Sequence, residues 1–375
     1  MYDCIIVGAG PAGSTVAYHL AKQGHSVLML EKAPLARYKP CSGAVSPAIT
    51  QWFDVDFTSV VDCVLRHVRY TWKLEDEVAA ELTTPDPVWI VRRDVFDPFL
   101  AAQAQQWGAI VQDQNAVTGI EFKGDRWWVA TSQGVFEGRY VVAADGADGP
   151  MSGWLGFKEA KRRIAAHVEV TCDRPLAADA ALSFEFGLMK NGCMWSFPRQ
   201  GGYGIGAAAF IGNAPKDFRP YFEQYIPAFG ATYVPGQEKF HSLKRWDGHQ
   251  PLHTQQAIAV GEAAAIVDPL TAEGIRHGIF SGFHGAAAIH RAIAGEPDAL
   301  AAYTQTLHDW GNNMQWAQRI AGVFYRVPGV GYRVGLKRPS ATERLGQLLT
   351  GEIGYGDIAN RVIKRMTTGF LLGRK

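Results

Sequence analysis

The first thirty residues combine two kinds of hydrophobic pattern. Residues 2–7 form an apolar run typical of a buried strand, and residues 26–30 form a second one. Between them, a glycine-rich turn is followed by apolar residues at helical spacing over about 11–23. Because two buried strands flank one helix, this pattern predicts a βαβ unit with parallel strands.

Beyond this unit, the pattern predicts mostly strands up to residue 260. Residues 34–60 show no clear period and are predicted to form a long loop, a kind of segment that is often functional. A helix is predicted to follow Asp94 as its N-cap. Alternating, aromatic-rich residues at 163–210 predict an antiparallel sheet with one face available to a ligand. Further strands are predicted around 64–73, 77–82, 88–92, 109–113, 115–122, 126–131, 139–144 and 257–260, and further helices at 298–326, 340–350 and 356–372.

The order of these elements predicts an α/β fold. A Rossmann-like domain is interleaved with an antiparallel-sheet substrate domain, and C-terminal helices follow. The apolar run at 257–260 indicates that the nucleotide-binding domain resumes after a long insertion. The predicted boundaries are 1–62, 93–160 and 250–295 for the nucleotide-binding domain, 63–92 and 161–249 for the sheet domain, and 296–375 for a basic helical region.

Composition narrows the classes of protein that fit. The 375 residues, 47 % of them hydrophobic, can bury a sizeable core in one large domain or two interlocked ones. A formal net charge of +1 argues against nucleic-acid binding, which normally requires a basic face. The charge is uneven, however, because residues 311–375 carry eleven Lys and Arg against three acidic residues, a net of +8.

The cysteines and the termini bear on location. Five cysteines are widely spaced without a CxxC pair, which favours free thiols in a reducing compartment over a disulfide framework or a metal site. Because a strand is predicted from residue 2, no signal peptide is expected, and no apolar run reaches the roughly 18 residues of a membrane-spanning helix. A cytoplasmic protein, possibly peripheral on the membrane, is expected.

The first turn carries a GxGxxG motif. Gly8 permits a tight turn, Gly10 lets the backbone approach a pyrophosphate, and Gly13 allows the helix to pack closely on the strand. Glu31, at the end of the second strand, is placed to accept the ribose hydroxyls of an ADP moiety and would repel a 2′-phosphate. The motif lies between a strand and a helix, as dinucleotide binding requires.

Three later stretches favour FAD as the dinucleotide. They are "VRRDVFDPFL", "VVAADGADGP" and "AVGEAAAIVDPLTAEGI", and a long cofactor is expected to meet the chain again late in the sequence. With them, residues 1–290 resemble the FAD-binding proteins of the p-hydroxybenzoate hydroxylase fold. The stretches "KPCSG", "RxxFD" (Arg93, Phe96, Asp97), "WSFP" and "GEAAAIVDPLTAEGI" further resemble the geranylgeranyl reductase family.

The motifs and the resemblance together assign candidate cofactor contacts. Ala12 and Glu31 would meet the ADP half, Arg93 the middle of FAD, and Val117 the adenine through its backbone. The predicted FAD contacts are Gly8, Gly10, Ala12, Gly13, Glu31, Lys32, Cys41, Gly43, Ala44, Arg93, Val117, Asp145, Glu262, Gly274 and Ile275. Amide groups at Gly274 and Ile275, at a helix start, would stabilise negative charge on a reduced flavin. Asp145 equally fits a simple turn former.

The chain departs from the family pattern at three positions. Glu262 stands where the family usually has aspartate, and Ala272 stands where glycine is common. Ser42 replaces a glycine of the usual "CGG". Because of these changes, the pocket for the ribityl chain and the isoalloxazine ring is expected to differ in shape from that of the family.

Cys41 is the candidate catalytic residue. Saturating an isolated alkene needs hydride at one carbon and a proton at the other, and a thiol is largely protonated at neutral pH. Pro40 and Gly43 would fix the loop beside the flavin ring. The alternative is that Cys41 only packs beneath the flavin.

Two further features suit a hydrophobic substrate. Trp195 and Phe197 share a strand face by period two, and Tyr203 follows a glycine turn, so the three could line a channel for a prenyl chain or simply belong to the core. The arginines at 319, 326 and 333 and the final stretch "DIANRVIKRMTTGFLLGRK" could form basic helices on an anionic leaflet. Ordinary solvated helices packed on the core remain the alternative.

The resemblance implies an FAD-dependent reductase that hydrogenates C=C bonds of an isoprenoid, geranylgeranyl-type chain. Since no second GxGxxG is present, NAD(P)H would dock transiently, or reduced ferredoxin would deliver the electrons. A flavin-dependent monooxygenase or halogenase shares the fold, although no suitably flanked lysine matches the halogenase signature. A non-catalytic FAD-bearing prenyl-chain carrier is the third possibility.

Overall fold

A computed structural model describes residues 1–83, 85, 88–172, 176–337 and 339–360. The strands are β1 (Tyr2–Val7), β2 (Val27–Leu30), β3 (Ala44–Val45), β4 (Val61–Leu65), β5 (His67–Trp72), β6 (Glu75–Glu81), β7 (Val88–Val91), β8 (Ile110–Gln112), β9 (Val117–Lys123), β10 (Arg126–Thr131), β11 (Gly134–Ala143), β12 (Arg162–Thr171), β13 (Ala181–Phe186), β14 (Gly192–Arg199), β15 (Gly202–Ala209), β16 (Lys239–Lys244), β17 (His253–Thr254) and β18 (Ala257–Ala259). The α-helices are α1 (Pro11–Lys22), α2 (Arg93–Gln106), α3 (Met151–Trp154), α4 (Arg219–Tyr225), α5 (Ile275–Ile293), α6 (Ala299–Phe324), α7 (Pro328–Gly331) and α8 (Pro339–Thr350).

The described residues also form shorter helical turns. The 3₁₀ turns are Pro47–Trp52, Thr58–Val60, Ile226–Phe229 and Gly261–Ala264, and a π-helical turn covers Tyr332–Leu336. Residues 355–360 are helical, so the predicted helix at 356–372 lies mostly outside the described residues.

The first sheet has eight strands and a parallel centre. Its order is β17-β18-β11-β1-β2-β8, and the antiparallel strands β9 and β10 extend it from β11. β1 and β2 pair in parallel and are joined by α1, which packs against α5 and α2. The predicted βαβ unit is therefore confirmed. Its strands read as continuous apolar runs because helices cover both faces of a parallel sheet.

The turn after β1 is shaped by backbone contacts that exclude side chains. Gly8 has φ +109°, and a Cβ there would lie 2.3 Å from the carbonyl oxygen of Ala144. A Cβ on Gly13 would lie 2.0 Å from the carbonyl oxygen of Gly8. The motif glycines thus bring α1, β1 and the end of β11 together.

The second sheet has seven strands in the order β16-β12-β15-β14-β13-β5-β6. Most pairs are antiparallel as predicted, but β13 and β5 are parallel, so the sheet is mixed. The reason is that β5 comes from a separate, earlier segment of the chain and joins the edge of the later strands. One face of this sheet packs on α4 around Phe222 and Tyr225, and the other faces the cavity described below.

Two local predictions are corrected. The helix α2 begins at Arg93 with Arg92 as its N-cap. Asp94 is therefore not the cap; it lies in the first helical turn, where its carboxylate pairs with Arg92 at 2.7 Å and faces the positive helix end. The segment 34–60 is not wholly loop, because it contains β3 and two 3₁₀ turns. The strands β3, β7 and β4 form a small third sheet.

The last described elements are helices that pack back on the earlier elements. α6 is 26 residues long and contacts α5 and β17. α8 follows the π-helical turn at Tyr332–Leu336, which it contacts. The division into three domains stays a prediction.

Candidate active site

The glycine turn presents free amide groups. α1 starts with Pro11 directly after Gly10, and the first amides of a helix have no acceptor within it. Beside the Cα of Gly10 the space is open, since a Cβ there would meet only Arg93 Nη2, at 3.9 Å. This helix end can therefore receive an anionic group.

Glu31 is fixed at the edge of that turn. Its side chain is buried, with Oε2 accepting from the Ala9 amide at 2.9 Å and Oε1 from the Ala33 amide at 3.1 Å. Arg37 lies 3.9 Å from the same carboxylate. Lys32 next to it is exposed, and Val117 begins β9 nearby in the same sheet.

A cavity of about 710 Å³ begins beside the glycine turn and continues beneath the second sheet. The predicted residues that line it are Gly10, Ala12, Cys41, Gly43, Ala44, Arg93, Trp195, Phe197, Glu262, Gly274 and Ile275. Those that do not line it are Gly8, Gly13, Glu31, Lys32, Val117, Asp145 and Tyr203. The fold thus gathers residues from the front, middle and rear of the sequence around one space. For the cofactor residues in both lists, contact with FAD stays a prediction, and for Trp195 and Phe197 contact with the substrate stays one.

Arg93 is a buried cation that is paired with an acidic residue. Its Nε and Nη2 donate to Asp97 at 2.6 and 2.7 Å, one helical turn later on α2. Arg37 donates to the same carboxylate at 3.2 Å. Burial acts to lower the pKa of Arg93, but Asp97 and the nearby Cys41 raise it overall, so the guanidinium stays charged. Asp97 thus fixes the Arg93 guanidinium at the edge of the cavity, and Arg37 adds a second positive charge beside the pair.

Glu262 has its own set of partners at the polar end. It lies in the 3₁₀ turn after β18, 3.9 Å from Lys39 Nζ and 3.3 Å from His241 Nε2. Burial would raise the pKa of Glu262, but His241, Lys39 and the Lys244 amide lower it overall. Burial lowers the pKa of Lys39. The longer side chain that replaces the family's aspartate is therefore an ionised carboxylate held by two basic groups.

The start of α5 forms the opposite wall of the polar end. Gly274 caps the helix, and the first helical bond runs from the Gly278 amide to the Gly274 carbonyl at 2.8 Å. The amides at the beginning of this 19-residue helix are free of helical acceptors and carry its positive end. Such a site stabilises an anion without a charged side chain.

Asp145 has a structural contact that its sequence position alone did not reveal. Its Oδ2 accepts from the Met151 amide at 2.9 Å, at the start of α3. Burial raises the pKa of Asp145 to about 6. The geometry favours the turn-forming role, while contact with the cofactor stays a prediction.

The far end of the cavity is apolar and aromatic. Trp195 and Phe197 line it from one face of β14, as the period-two pattern predicted. The indole Nε1 of Trp195 donates to Ser42 Oγ, and Phe197 meets Phe184 edge-on with ring centroids 5.4 Å apart. The loop that carries Cys41 is thereby attached to the second sheet.

Tyr203 corrects the prediction for the third aromatic residue. It pairs with Pro198 across β14 and β15, whereas Phe197 pairs with Gly204. Directly opposed residues share a face of the sheet, so Tyr203 points away from Phe197. Its ring packs on Phe229, 5.2 Å away, on the side remote from the cavity.

The C-terminal helices supply cavity walls that the sequence reasoning missed. Ile320, Phe324 and Tyr325 come from the end of α6 and the residue after it, and Leu345 and Leu348 come from α8. Other unpredicted lining residues are Tyr70, Phe184, Phe186, Phe210, Leu243, Leu270, Leu336, Leu349 and Ile358. The signal for these walls is the apolar spacing of three and four along the helices, and the basic residues between the apolar positions mark the outer face.

Comparisons with known proteins agree with this geometry. A family model described as an FAD binding domain matches residues 1–201, more than half of the chain. The chain belongs to this family. It is an FAD-dependent oxidoreductase, and its glycine turn, buried acidic residue and two open helix starts fit an FAD molecule.

A curated relative of this flavoprotein is the digeranylgeranylglycerophospholipid reductase of Methanocaldococcus jannaschii. It is 26 % identical over 398 residues, covering 98 % of this chain and 95 % of the relative. A similar solved structure is the geranylgeranyl bacteriochlorophyll reductase-like protein of Thermoplasma acidophilum, with a TM-score of 0.76, 20 % identity and coverage of 93 % and 91 %.

A flavin-dependent brominase, Bmp2, is also similar in structure. Its TM-score is 0.75 at 18 % identity, over 98 % of this chain and 99 % of the brominase. These structural likenesses establish the p-hydroxybenzoate hydroxylase-like fold that the sequence predicted. At such identities they do not choose between reduction and halogenation.

Proposed function

We propose that this flavoprotein hydrogenates C=C bonds of an isoprenoid, geranylgeranyl-type chain. The observation that carries the proposal is the single cavity that joins the polar end, at Gly10 and Gly274, to the aromatic end, at Phe184 and Phe197. Each CH₂ group of a prenyl chain would contribute about 0.8 kcal/mol on burial there. The named function of the Methanocaldococcus jannaschii relative supports the same substrate class.

Cys41 lies where the two ends meet. Its loop contacts β7, because a Cβ on Gly43 would lie only 2.0 Å from the Val91 carbonyl oxygen, and it contacts β14 through Ser42 and Trp195. Bound FAD, once reduced, supplies the hydride for alkene reduction. Cys41 would hold the proton and donate it to the second carbon of the alkene.

The electron donor belongs to the same proposal. NAD(P)H or reduced ferredoxin would deliver electrons by transient docking, since the chain contains only one GxGxxG turn. Anaerobic mixing with each donor in turn, followed by flavin absorbance, identifies which one reduces the protein.

The test of the function uses the FAD-loaded protein reduced under anaerobic conditions. We expect a geranylgeranyl lipid to reoxidise the flavin without oxygen and to gain two hydrogens per double bond in its mass spectrum. Product that requires oxygen or halide would instead assign the chain to the monooxygenases or halogenases. Binding of the lipid without any turnover would indicate a carrier.

The outer surface of the C-terminal segment that walls the cavity supports a second part of the proposal, that the protein binds to a membrane. Val323, Val327 and Val330 are 67, 49 and 57 % exposed. The arginines at 319, 326 and 333 are exposed along the same segment, and no acidic residue occurs between 310 and 342. Phe324, a partly buried residue of this segment, lines the cavity. A basic, apolar surface beside the cavity suits an anionic leaflet in which the substrate is dissolved.

Within the described ranges, no helix combines the length and the apolar character needed to cross a bilayer. The basic stretch at 361–375, part of the same membrane prediction, lies outside the described residues.

Cosedimentation with phosphatidylglycerol vesicles should fall when the arginines at 319, 326 and 333 are changed together to Gln, and cosedimentation with phosphatidylcholine vesicles should stay low. Equal binding to both vesicles by both proteins would contradict the membrane proposal.

A further inference from the structure

Tyr38 and His167 connect the molecular surface with the cavity beside the Cys41 loop. Tyr38 stands three residues before Cys41 and is 45 % exposed. Its hydroxyl lies 3.1 Å from Nδ1 of His167 on β12. His167 is only 3 % exposed and lines the cavity. The pair therefore spans from solvent to the interior.

The second ring nitrogen of His167 faces an open gap. Nε2 is buried and has no hydrogen-bond partner within the described part of the chain. A Cβ on Gly204 would lie 3.2 Å from this Nε2 and 3.8 Å from the Cα of Ser42. Glycine at 204 thus leaves space between the imidazole and the residue that follows Cys41. Buried polar atoms without partners are rare and call for an explanation.

Burial is the main reason that both groups of the pair stay neutral. Burial, together with the nearby charge of Arg199, lowers the pKa of His167 to about 3. Burial, Glu169 and Cys41 raise the pKa of Tyr38. Arg199 acts in the opposite direction, but the pKa is raised overall. Arg199 and Glu169 are themselves paired at 2.7 Å. A protonated phenol beside a neutral imidazole donates to Nδ1, and the imidazole proton then sits on Nε2, facing the gap.

We propose that Tyr38 and His167 relay protons from solvent to Cys41. The inference rests on the proposed function, in which each saturated double bond consumes one proton in addition to hydride. After Cys41 gives its proton to carbon, the S–H bond re-forms with the proton from His167 Nε2. Nδ1 takes the hydroxyl proton of Tyr38, and the phenolate takes one from water, which leaves a hydroxide in the solvent. After the product leaves, a water that enters the cavity protonates Nε2, and Nδ1 returns its proton through Tyr38 to the solvent hydroxide. The starting tautomer is thereby restored, and no oxidant or reductant is needed.

The first test needs no substrate. Nitrogen NMR of the FAD-loaded protein with ¹⁵N-labelled histidine should show His167 unprotonated at Nδ1 and protonated at Nε2. The signal should change in Tyr38→Phe and stay unchanged in Tyr221→Phe, which removes a hydroxyl on the far side of the second sheet. A proton found on Nδ1 in the resting protein would overturn the relay, because Tyr38 would then accept rather than donate.

The second test measures anaerobic flavin reoxidation by a geranylgeranyl lipid. Tyr38→Phe and His167→Ala should each slow reoxidation at least tenfold and change its solvent isotope effect, while FAD binding and flavin reduction stay within twofold. Added imidazoles should restore the rate of His167→Ala in proportion to their basicity, which a merely structural role would not produce. Rates within twofold of the unsubstituted protein would overturn the relay.

The two failures can be told apart. If no prenyl lipid reoxidises the unsubstituted protein, the proposed function fails, and the tautomer measurement still decides whether the pair is set up to deliver a proton.

Discussion

The two ends of the cavity are built in different ways. The polar end depends on backbone approach and fixed charges, such as the contact between Gly8 and Gly13 and the pairing of Arg93 with Asp97. The aromatic end depends on side chains such as Phe184 and Leu345, which come from elements distant in sequence. The difference indicates that the cofactor end tolerates little change, whereas the apolar end can vary in shape without loss of the cofactor.

The largest expected effect comes from closing the glycine turn. In Gly13→Ala the new Cβ would lie 2.0 Å from the Gly8 carbonyl oxygen, so the backbone must move. We expect loss of most bound FAD and a fall of about 1–3 kcal/mol or more in the free energy of unfolding. Flavin absorbance per protein and equilibrium unfolding measure both effects. Gly119→Ala on β9, where no atom lies within 4 Å of the added Cβ, is the control and should keep its flavin.

A change at the apolar end should separate substrate from cofactor. Leu345→Trp would fill the cavity from α8, and we expect kcat/KM for a geranylgeranyl lipid to fall about tenfold, or about 1.4 kcal/mol, with FAD content unchanged. Glu343→Trp, on the exposed side of the same helix, should have little effect. Equal loss of FAD in Leu345→Trp would contradict the separation of the two ends.

A pH-dependent effect is expected at Asp145, next to the polar end of the cavity, in the FAD-free protein. Burial raises the pKa of Asp145 from 3.8 to about 6, so ionisation is costlier in the folded state. Folding stability from this group is therefore lost as pH rises between those values. Asp145→Asn should match the unsubstituted protein near pH 4 and exceed it by about 1–3 kcal/mol above pH 6, while still accepting from the Met151 amide.

Urea unfolding at several pH values measures the Asp145 effect. Asp148→Asn, at an exposed neighbouring position, should show little of this dependence. A constant difference between Asp145→Asn and the unsubstituted protein across the whole range would contradict the raised pKa.

The smallest expected effect concerns a departure from the family pattern. Ala272 has φ +61°, a left-handed conformation that glycine adopts at lower cost. We expect Ala272→Gly to raise the free energy of unfolding by up to about 1 kcal/mol. Ala301→Gly, on the exposed face of α6, should lower it by about 1 kcal/mol. Thermal unfolding measures the sign of each change in the free energy of unfolding. A decrease in Ala272→Gly would show that the strain at Ala272 is relieved by other parts of the structure.

The sequence predicted the polar end better than the apolar end for a physical reason. The motif around Gly8 and Gly13 is local, and the same short-range geometry recurs wherever a strand, a tight turn and a helix follow one another. Period two placed Trp195 and Phe197 correctly because it depends only on the strand itself. Tyr203 was misplaced because its face depends on the register between β14 and β15.

Long-range packing explains the rest of the difference. The position of α8 over the cavity depends on contacts between elements far apart in the chain, which no local pattern reports. Asp94 was wrongly predicted as the N-cap because its carboxylate also acts on the positive helix end from a position within the first turn. The pair of Tyr38 and His167 lies 129 positions apart, and only the fold brings it together.

In the proposed function, FAD and a prenyl chain occupy one cavity and react there. The most direct measurement is a single anaerobic turnover in which the amount of reoxidised flavin is compared with the amount of saturated product. We expect one double bond to be reduced, with a gain of two hydrogens, for each flavin reoxidised. Reoxidation without any hydrogenated lipid, or hydrogenation without reoxidation, would contradict it.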